Sequence, residues 1–433
     1  MNGAPLGLPV IGHALSFVRD KPGFLQACRQ QYGDCVRLHI GAPTWLLNNP
    51  ADIKHVLVDA AAKYEKTPKL TSPRGRVLSG SGLHTATGLD HVFLRRMVQP
   101  LFHRRVVDGH AQMVRRVTEN AMADWRDGHV IDLLDAMLKL TQQVMLAALF
   151  GESFVDDRGQ FADAVTVRRS YIEYFFTSNL PWPEHWPLPL VHRYRTARRY
   201  LGEIIDREID RRRTGVPVGD DWLSMLVSST GRDGTALNKA QIRDEAITLT
   251  STGYETVAAA LTWSGHLLSI HPDVQRDVQL ELAVDETPDA PLTTRVLNEA
   301  MRLFPPTWLF VRVATTDDVL PGGASIRADD HIYLCPFTMH RHPAWYARPD
   351  HFDPSHFSDE AMRARPRFAF YPFGGGARQC IGEPFARLEA AVVLSTLLRR
   401  FQLEPINTDP VRLRPSIVLE PRGGLRVRLR GAR

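Results

Sequence analysis

The segment Phe373-Gly-Gly-Gly-Ala-Arg-Gln-Cys-Ile-Gly382 places one thiol in a glycine-dense loop. Glycine lets a backbone approach a flat ligand closely and lets successive amides point at one anion. Cys380 follows Arg378 by two residues and stands just ahead of a helical pattern, a setting that favours thiolate. A thiolate held by backbone N–H groups is what a metal centre needs from a single sulfur ligand. A buried structural cysteine beside a glycine turn fits the same segment taken alone. Three more constellations could carry chemistry. Glu299 and Arg302 lie one helical turn apart and can pair on one face. In Thr252-Gly-Tyr-Glu-Thr256 a glycine weakens a helix beside an acid and a hydroxyl, and threonine can bond the freed carbonyl. His91 and Arg95, at i and i+4, can present two donors to an anion. Each has an ordinary structural counterpart: a helix salt bridge, a tolerated glycine, a solvated basic face.

Elements must hold these residues. Residues 383–401 read as a helix with Phe385, Leu388, Val392, Leu397 and Phe401 on a core-facing stripe. Helical spacing predicts further helices over 111–126 and 130–149, and one unusually long helix over 241–270, ending before His271-Pro272. Strand-like runs are short: 35–40, 45–48, 332–335 and 425–429. Residues 66–89 and 178–190 read as long irregular connections, the second rich in proline beside Trp182 and Trp186. The expectation is a mainly α fold with small β-sheets, the β portion drawn mainly from about 35–60, 308–340 and 405–433. Residues 1–433 are expected to form a single domain.

Composition narrows the function classes. With 433 residues, 44% hydrophobic and 23% charged, the chain can bury a large core and is neither disordered nor a small disulfide scaffold. Four cysteines in this length point to a reduced setting. The net charge of +5 is mostly arginine. No aromatic-interleaved basic run favours nucleic acid, so anionic cofactor groups or an acidic partner are the better uses of that charge. No uninterrupted apolar run reaches the ~18 residues that span a bilayer. Residues 1–17 lack a basic n-region, so neither a signal peptide nor an anchor is expected, and the chain reads as a cytoplasmic monomer.

Taken together, the four constellations resemble one family, the cytochromes P450, which are cysteine-ligated haem monooxygenases. The family's F-x-x-G-x-R-x-C-x-G loop is matched at Phe373, Gly376, Arg378, Cys380 and Gly382. Its E-x-x-R pattern stands about eighty residues upstream, and its glycine–acid–threonine pattern lies upstream again. The resemblance covers essentially the whole chain and implies the triangular-prism fold of soluble bacterial members around a buried haem b.

By this likeness Cys380 is the axial ligand of the haem iron, where a thiolate pushes electron density toward the metal. His91, Arg95, Arg312 and Arg378 match positions that neutralise the haem propionates. Glu255 and Thr256 match the acid–alcohol pair that delivers protons to dioxygen. Three positions depart from the pattern: Thr252 stands where alanine or glycine is usual, Val257 where a second threonine is common, and His356 where an arginine completes a triad with Glu299 and Arg302. Imidazole can still hydrogen-bond there, without a permanent charge.

The resemblance also implies O2 as co-substrate and a separate electron donor, a ferredoxin with its reductase or a flavodoxin-type protein. Arg96, Arg104, Arg105, Arg115 and Arg116 are the expected docking face. Pocket positions implied are the loop of residues 70–89, Phe175, Phe176, residues 246–256 including Thr252, then Trp308, Leu309, Phe310, Ile417 and Val418. An apolar, aromatic lining suits a lipophilic substrate of the terpenoid, steroid, fatty acid or polyketide class, terpenoid first. Hydroxylation or epoxidation is the expected outcome. Oxidative coupling or desaturation would use the same residues, whereas a non-catalytic haem protein would have no need of Glu255 and Thr256.

Overall fold

The computed structural model describes residues 12–154, 158–178, 188–214, 221–231, 234–285 and 290–432, together with residues 5, 7, 186 and 287. Two compact units interleave along the chain. One comprises residues 1–67, 260–380 and 403–425; the other comprises 68–259, 381–402 and 426–433.

The first unit is organised by a five-stranded sheet in the order β1-β2-β5-β4-β3. Its strands are β1 (Cys35–His39), β2 (Pro43–Leu47), β3 (Tyr64–Glu65), β4 (Phe310–Ala314) and β5 (His331–Leu334). Strand β1 alternates, with Val36 and Leu38 buried, as a half-covered edge should. Strand β2 is buried from Thr44 onward and pairs parallel with β5, Thr44 opposite His331. Strand β4 runs antiparallel to β5 and to β3, with Glu65 opposite Val313. That register brings the residue after β3, Lys66, beside the strand that carries Arg312. The end of β3 is tied down by Asp318, whose carboxylate accepts from the Tyr64 hydroxyl (2.8 Å) and the Lys63 ammonium (2.7 Å).

Helices carry the remaining site residues: α1 (Gly88–Val98), α2 (Leu133–Phe150), α3 (Arg158–Thr177), α4 (Pro189–Arg213), α5 (Lys239–Thr252), α6 (Tyr254–Ile270), α7 (Pro291–Leu303) and α8 (Glu383–Arg400). Helix α2 starts later than helical spacing predicts. Val130–Asp132 instead forms a short strand against Arg426–Gly431, and the Asp132 side chain then accepts from the Leu134 and Asp135 amides as an N-cap. Helix α2 is long and apolar enough to cross a membrane, but ten of its eighteen residues are buried within its unit, as in a soluble core helix.

The single helix predicted over 241–270 is two helices meeting at Gly253. Helix α5 opens on a capping box between Asn238 and Gln241. Within the stretch predicted to be irregular, 66–89, two short helices form, Pro68–Thr71 and Pro73–Ser79, each opening on a proline, which fits a first helical turn. Most of the proline-rich stretch 178–190, including Trp182, lies outside the described residues.

Candidate functional site

The cysteine loop is closed by its own backbone. The Cys380 amide donates to the Phe373 carbonyl (2.9 Å), and the Gly374 amide donates to the Tyr371 carbonyl (3.0 Å). Gly374 and Gly376 adopt φ of +73° and +67°, the left-handed region that favours glycine. A Cβ at Gly376 would stand 2.0 Å from the Leu57 carbonyl oxygen, and one at Gly375 would stand 2.5 Å from the Phe368 ring. A Cβ at Gly374 would meet only the Phe310 ring, at 3.6 Å. Glycine is therefore required by packing on one side of the loop, while the other side stays open to a close-lying ligand. Gly382 is the N-cap of α8, its carbonyl accepting from the Ala386 amide.

The other cysteines differ in kind. Burial pushes the thiols of Cys28, Cys35 and Cys335 up to about 11, 12 and 11, so they stay protonated as core residues.

Three cations share the neighbourhood of that loop within the first unit. Arg312 is 9% exposed, and burial, with the Arg378 charge adding to it, pushes its guanidinium down to about 10. Burial, then the charges of Arg378 and Arg312, push Lys66 down to about 7. Glu65 supplies one opposing charge to Arg378. Three mutually repelling cations persist together when anions face them, and the two propionates of a haem fit that requirement. Lys66 was missed by sequence reasoning, because only the β3–β4 register brings it to Arg312. In the second unit His91 and Arg95 lie on one face of α1, His91 buried.

The Glu299–Arg302 pair is fully buried. The guanidinium meets the carboxylate bidentately, Nε and Nη2 each at 2.7 Å. Nη1 donates to the carbonyls of His340 (3.0 Å) and Pro349 (2.5 Å), and Nη2 to that of His351 (2.9 Å). All five donors of the side chain are used. His356 stands beside the pair: Nδ1 faces Glu299 Oε1 at 3.1 Å and Nε2 faces the Ala347 carbonyl at 2.8 Å. The assembly braces the chain leading to the cysteine loop, since the neighbouring His340 ring accepts the Tyr371 amide (3.0 Å).

The acid–alcohol pair sits at the junction of α5 and α6. Thr256 Oγ1 donates to the Thr252 carbonyl (3.3 Å), Thr252 Oγ1 to that of Thr248 (2.9 Å), and the Tyr254 carbonyl accepts from Thr141 Oγ1 (3.1 Å). A Cβ at Gly253 would lie 2.1 Å from the Met145 methyl, so that side chain would have to shift to admit one. Glu255 is held by an arginine that sequence reasoning did not find: Arg169 Nε approaches its Oε2 at 3.1 Å, both side chains less than one-fifth exposed. One helical face further back, Glu245 is buried and accepts the Leu83 amide (2.7 Å), while its other oxygen has no hydrogen-bond partner.

Several expected pocket residues serve packing. Trp308 is buried, and its indole donates to the Ser416 carbonyl (3.0 Å). Leu309 packs partly buried against the same cluster, Val418 is buried, and Ile417 is exposed. Phe310 lies against the cysteine-loop glycines and the Tyr371 ring. Phe175 joins Tyr171 and Tyr194 in a core cluster, edge-on to Phe176, with Lys69 and Arg74 over its ring.

Comparison with known proteins agrees with this chemistry. The cytochrome P450 family model matches residues 3–426. The chain is 33% identical to cyclooctatin synthase of Streptomyces melanosporofaciens, over 96% of this chain and 93% of that one. It is 32% identical to pentalenene oxygenase of Streptomyces avermitilis, over 99% and 96%. Its fold is similar to the crystal structure of the cytochrome P450DA heme domain, with a TM-score of 0.87, 25% identity, and coverage of 99% and 97%. With the glycine-cradled cysteine, the crowded cations and the buried Glu299–Arg302 pair, these matches show that the chain belongs to the cytochrome P450 family and is a P450 monooxygenase.

Proposed function

We propose that the chain inserts one oxygen atom from O2 into a polycyclic terpenoid, using haem b held by Cys380, with electrons from a separate acidic carrier. The cysteine loop carries the reading: a thiol whose amide is locked to the Phe373 carbonyl, presented from glycines, beside Arg312, Arg378 and Lys66. The terpenoid class is supported by the relatives, among them proteins named pentalenene oxygenase and cyclooctat-9-en-7-ol 5-monooxygenase, the latter 29% identical.

Haem bound at this thiolate supplies the dioxygen-activating iron. The chain's own residues do the rest. Cys380 would bind the metal, and Arg312, Arg378 and Lys66 would hold the propionates by charge-assisted hydrogen bonds, a role the family resemblance gives also to His91 and Arg95. Thr256 presents a hydroxyl at the Gly253 junction that can pass a proton to a water. Glu255, which meets Arg169 at 3.1 Å, is the neighbouring carboxyl that can return one to it.

Among the five arginines expected to dock the electron donor, Arg116 pairs with Glu152 at 2.6 Å, and Arg104 lies 3.6 Å from Asp108. Arg96 and Arg105 are exposed and remain the best charges for an acidic carrier. Reversing both should slow electron delivery and leave substrate affinity unchanged; unaltered reduction kinetics would remove this face.

A reduced carbon-monoxide difference spectrum tests the ligation directly. A thiolate-type Soret band is expected, and its loss in Cys380→Ser; its absence from the unaltered chain overturns the reading. Turnover of pentalenene-like hydrocarbons, with products resolved by mass spectrometry, tests the substrate class.

A further inference from the structure

A cavity of about 1030 Å³ in the second unit has none of the residues used above for oxygen chemistry in its lining. Arg76, Arg168, Arg195, Arg198, Arg199 and Arg243 line it, contributed by the helix Pro73–Ser79 and by α3, α4 and α5. The lining carboxylates are Glu203, Asp206 and Asp244. Two of these are already occupied. Asp206 holds Arg243 (2.7 Å), and Asp244 accepts the Ser81 amide (3.1 Å).

Arg195, Arg198 and Arg199 make no ion pair among the described residues, and all three are exposed along the cavity side of α4. Arg168 opposes them from α3, 4% exposed, its guanidinium in contact with the Ser251 hydroxyl. Burial lowers the Arg168 pKa most, and the Arg198 charge lowers it further, while Tyr194, Tyr254 and Glu255 oppose that fall. One buried arginine thus shares the lining with exposed ones. Six guanidinium forks from four segments converge on one concavity, and planar forks match the oxygens of carboxylate or phosphate. The volume is at the upper end of small-molecule pockets, far beyond what a free phosphate fills. Ile247 and Pro73 add apolar wall for a carbon skeleton.

We propose that this cavity receives the oxyanion of an amphiphilic small molecule, a carboxylate or phosphate carried on a lipophilic skeleton. As an account of the substrate it rests on the oxygenase reading above; as a binding site it stands on the cavity alone. The substrate would then arrive already bearing an acid group, so an earlier oxidation to the acid, or retention of a phosphate ester, must precede this enzyme.

The test uses holoenzyme and three probes on one skeleton: geranylgeraniol, geranylgeranic acid and geranylgeranyl diphosphate. Spin-state titration should show an acidic probe binding about tenfold tighter than the alcohol, an ion-pair's worth of affinity. That advantage should shrink as salt rises to about 0.5 M. In R198E/R199E, both exposed positions, the anion's Kd should rise at least about tenfold and the alcohol's by less than about twofold. Preference for the acid or the diphosphate identifies the oxyanion source. Equal affinity for alcohol and anions, equal losses for all three in the variant, or displacement by inorganic pyrophosphate with no gain from the skeleton would each overturn the proposal. The same probes are read by thermal shift, which needs no spin change. Anion-specific stabilisation without a thiolate carbon-monoxide band would therefore fault the oxygenase reading and leave the cavity assignment standing.

Discussion

Two glutamate–arginine pairs use the same chemistry to opposite ends. Glu299 and Arg302 are fully buried, joined bidentately, and every guanidinium donor is spent. Glu255 and Arg169 meet at 3.1 Å with 12% and 17% of their side-chain surface exposed, and stand beside the Gly253 junction. A fully buried pair cannot part without stranding a charge, whereas a partly exposed pair can part toward water. Burial, rather than the residue types, separates a brace from a relay.

Arg302→Ala should break the first pair with the largest effect. An uncompensated buried carboxylate costs about 3–5 kcal/mol, so urea unfolding and haem content should both collapse. A loss below about 1 kcal/mol would erase the contrast.

Glu245 sharpens it as a buried glutamate bonded to an amide rather than to a cation. Burial raises it from the ordinary 4.5 to about 7, with the Leu83 amide opposing that rise and Asp244 adding to it. The folded chain therefore holds this proton more tightly than the unfolded one. Its contribution is fully present below about pH 4.5 and is lost as pH rises to about 7. Glu245→Gln should flatten that decline by about 3 kcal/mol in unfolding free energy measured across the window. An unchanged pH profile would show the carboxyl to be solvated.

Glu255→Gln should lower turnover by about a hundredfold or more, with unfolding free energy within about 1 kcal/mol of the parent. If stability falls as far as in Arg302→Ala, the second pair is a brace after all. The smallest effect belongs to His356→Arg, which keeps hydrogen-bond donors beside Glu299 and should stay within about 1 kcal/mol. His356→Leu should cost about 1–3 kcal/mol by leaving the Ala347 carbonyl without its ring partner.

What could be read from the sequence was local. The Phe373–Gly382 loop, Glu299 with Arg302, and Glu255 with Thr256 each lie within ten residues, so spacing alone exposes their geometry. The mainly α fold was legible because helical periodicity repeats over long windows. The junction at Gly253 was anticipated as a weakened point but not as a division between two helices. Lys66 and Arg169 were invisible because their partners are far away in sequence, set by a strand register and by a contact between helices. Trp308 is a pocket position only by family resemblance, and its indole donates to the Ser416 carbonyl, a contact more than one hundred residues away. The arginines of α4 carry no reading in the sequence, since nothing local shows that three other segments line one cavity with them.

The five bonds of Arg302 also say when it matters during folding. Its carbonyl acceptors lie 38, 47 and 49 residues further along the chain. They can be met only after loops of that length have closed, at an entropic cost that must come first. The brace therefore belongs to the last steps, after the rate-limiting barrier. Removing it should leave the refolding limb of a chevron nearly unchanged and steepen the loss of the native state through faster unfolding. A side chain with every donor spent in the finished molecule is thus among the last to be satisfied.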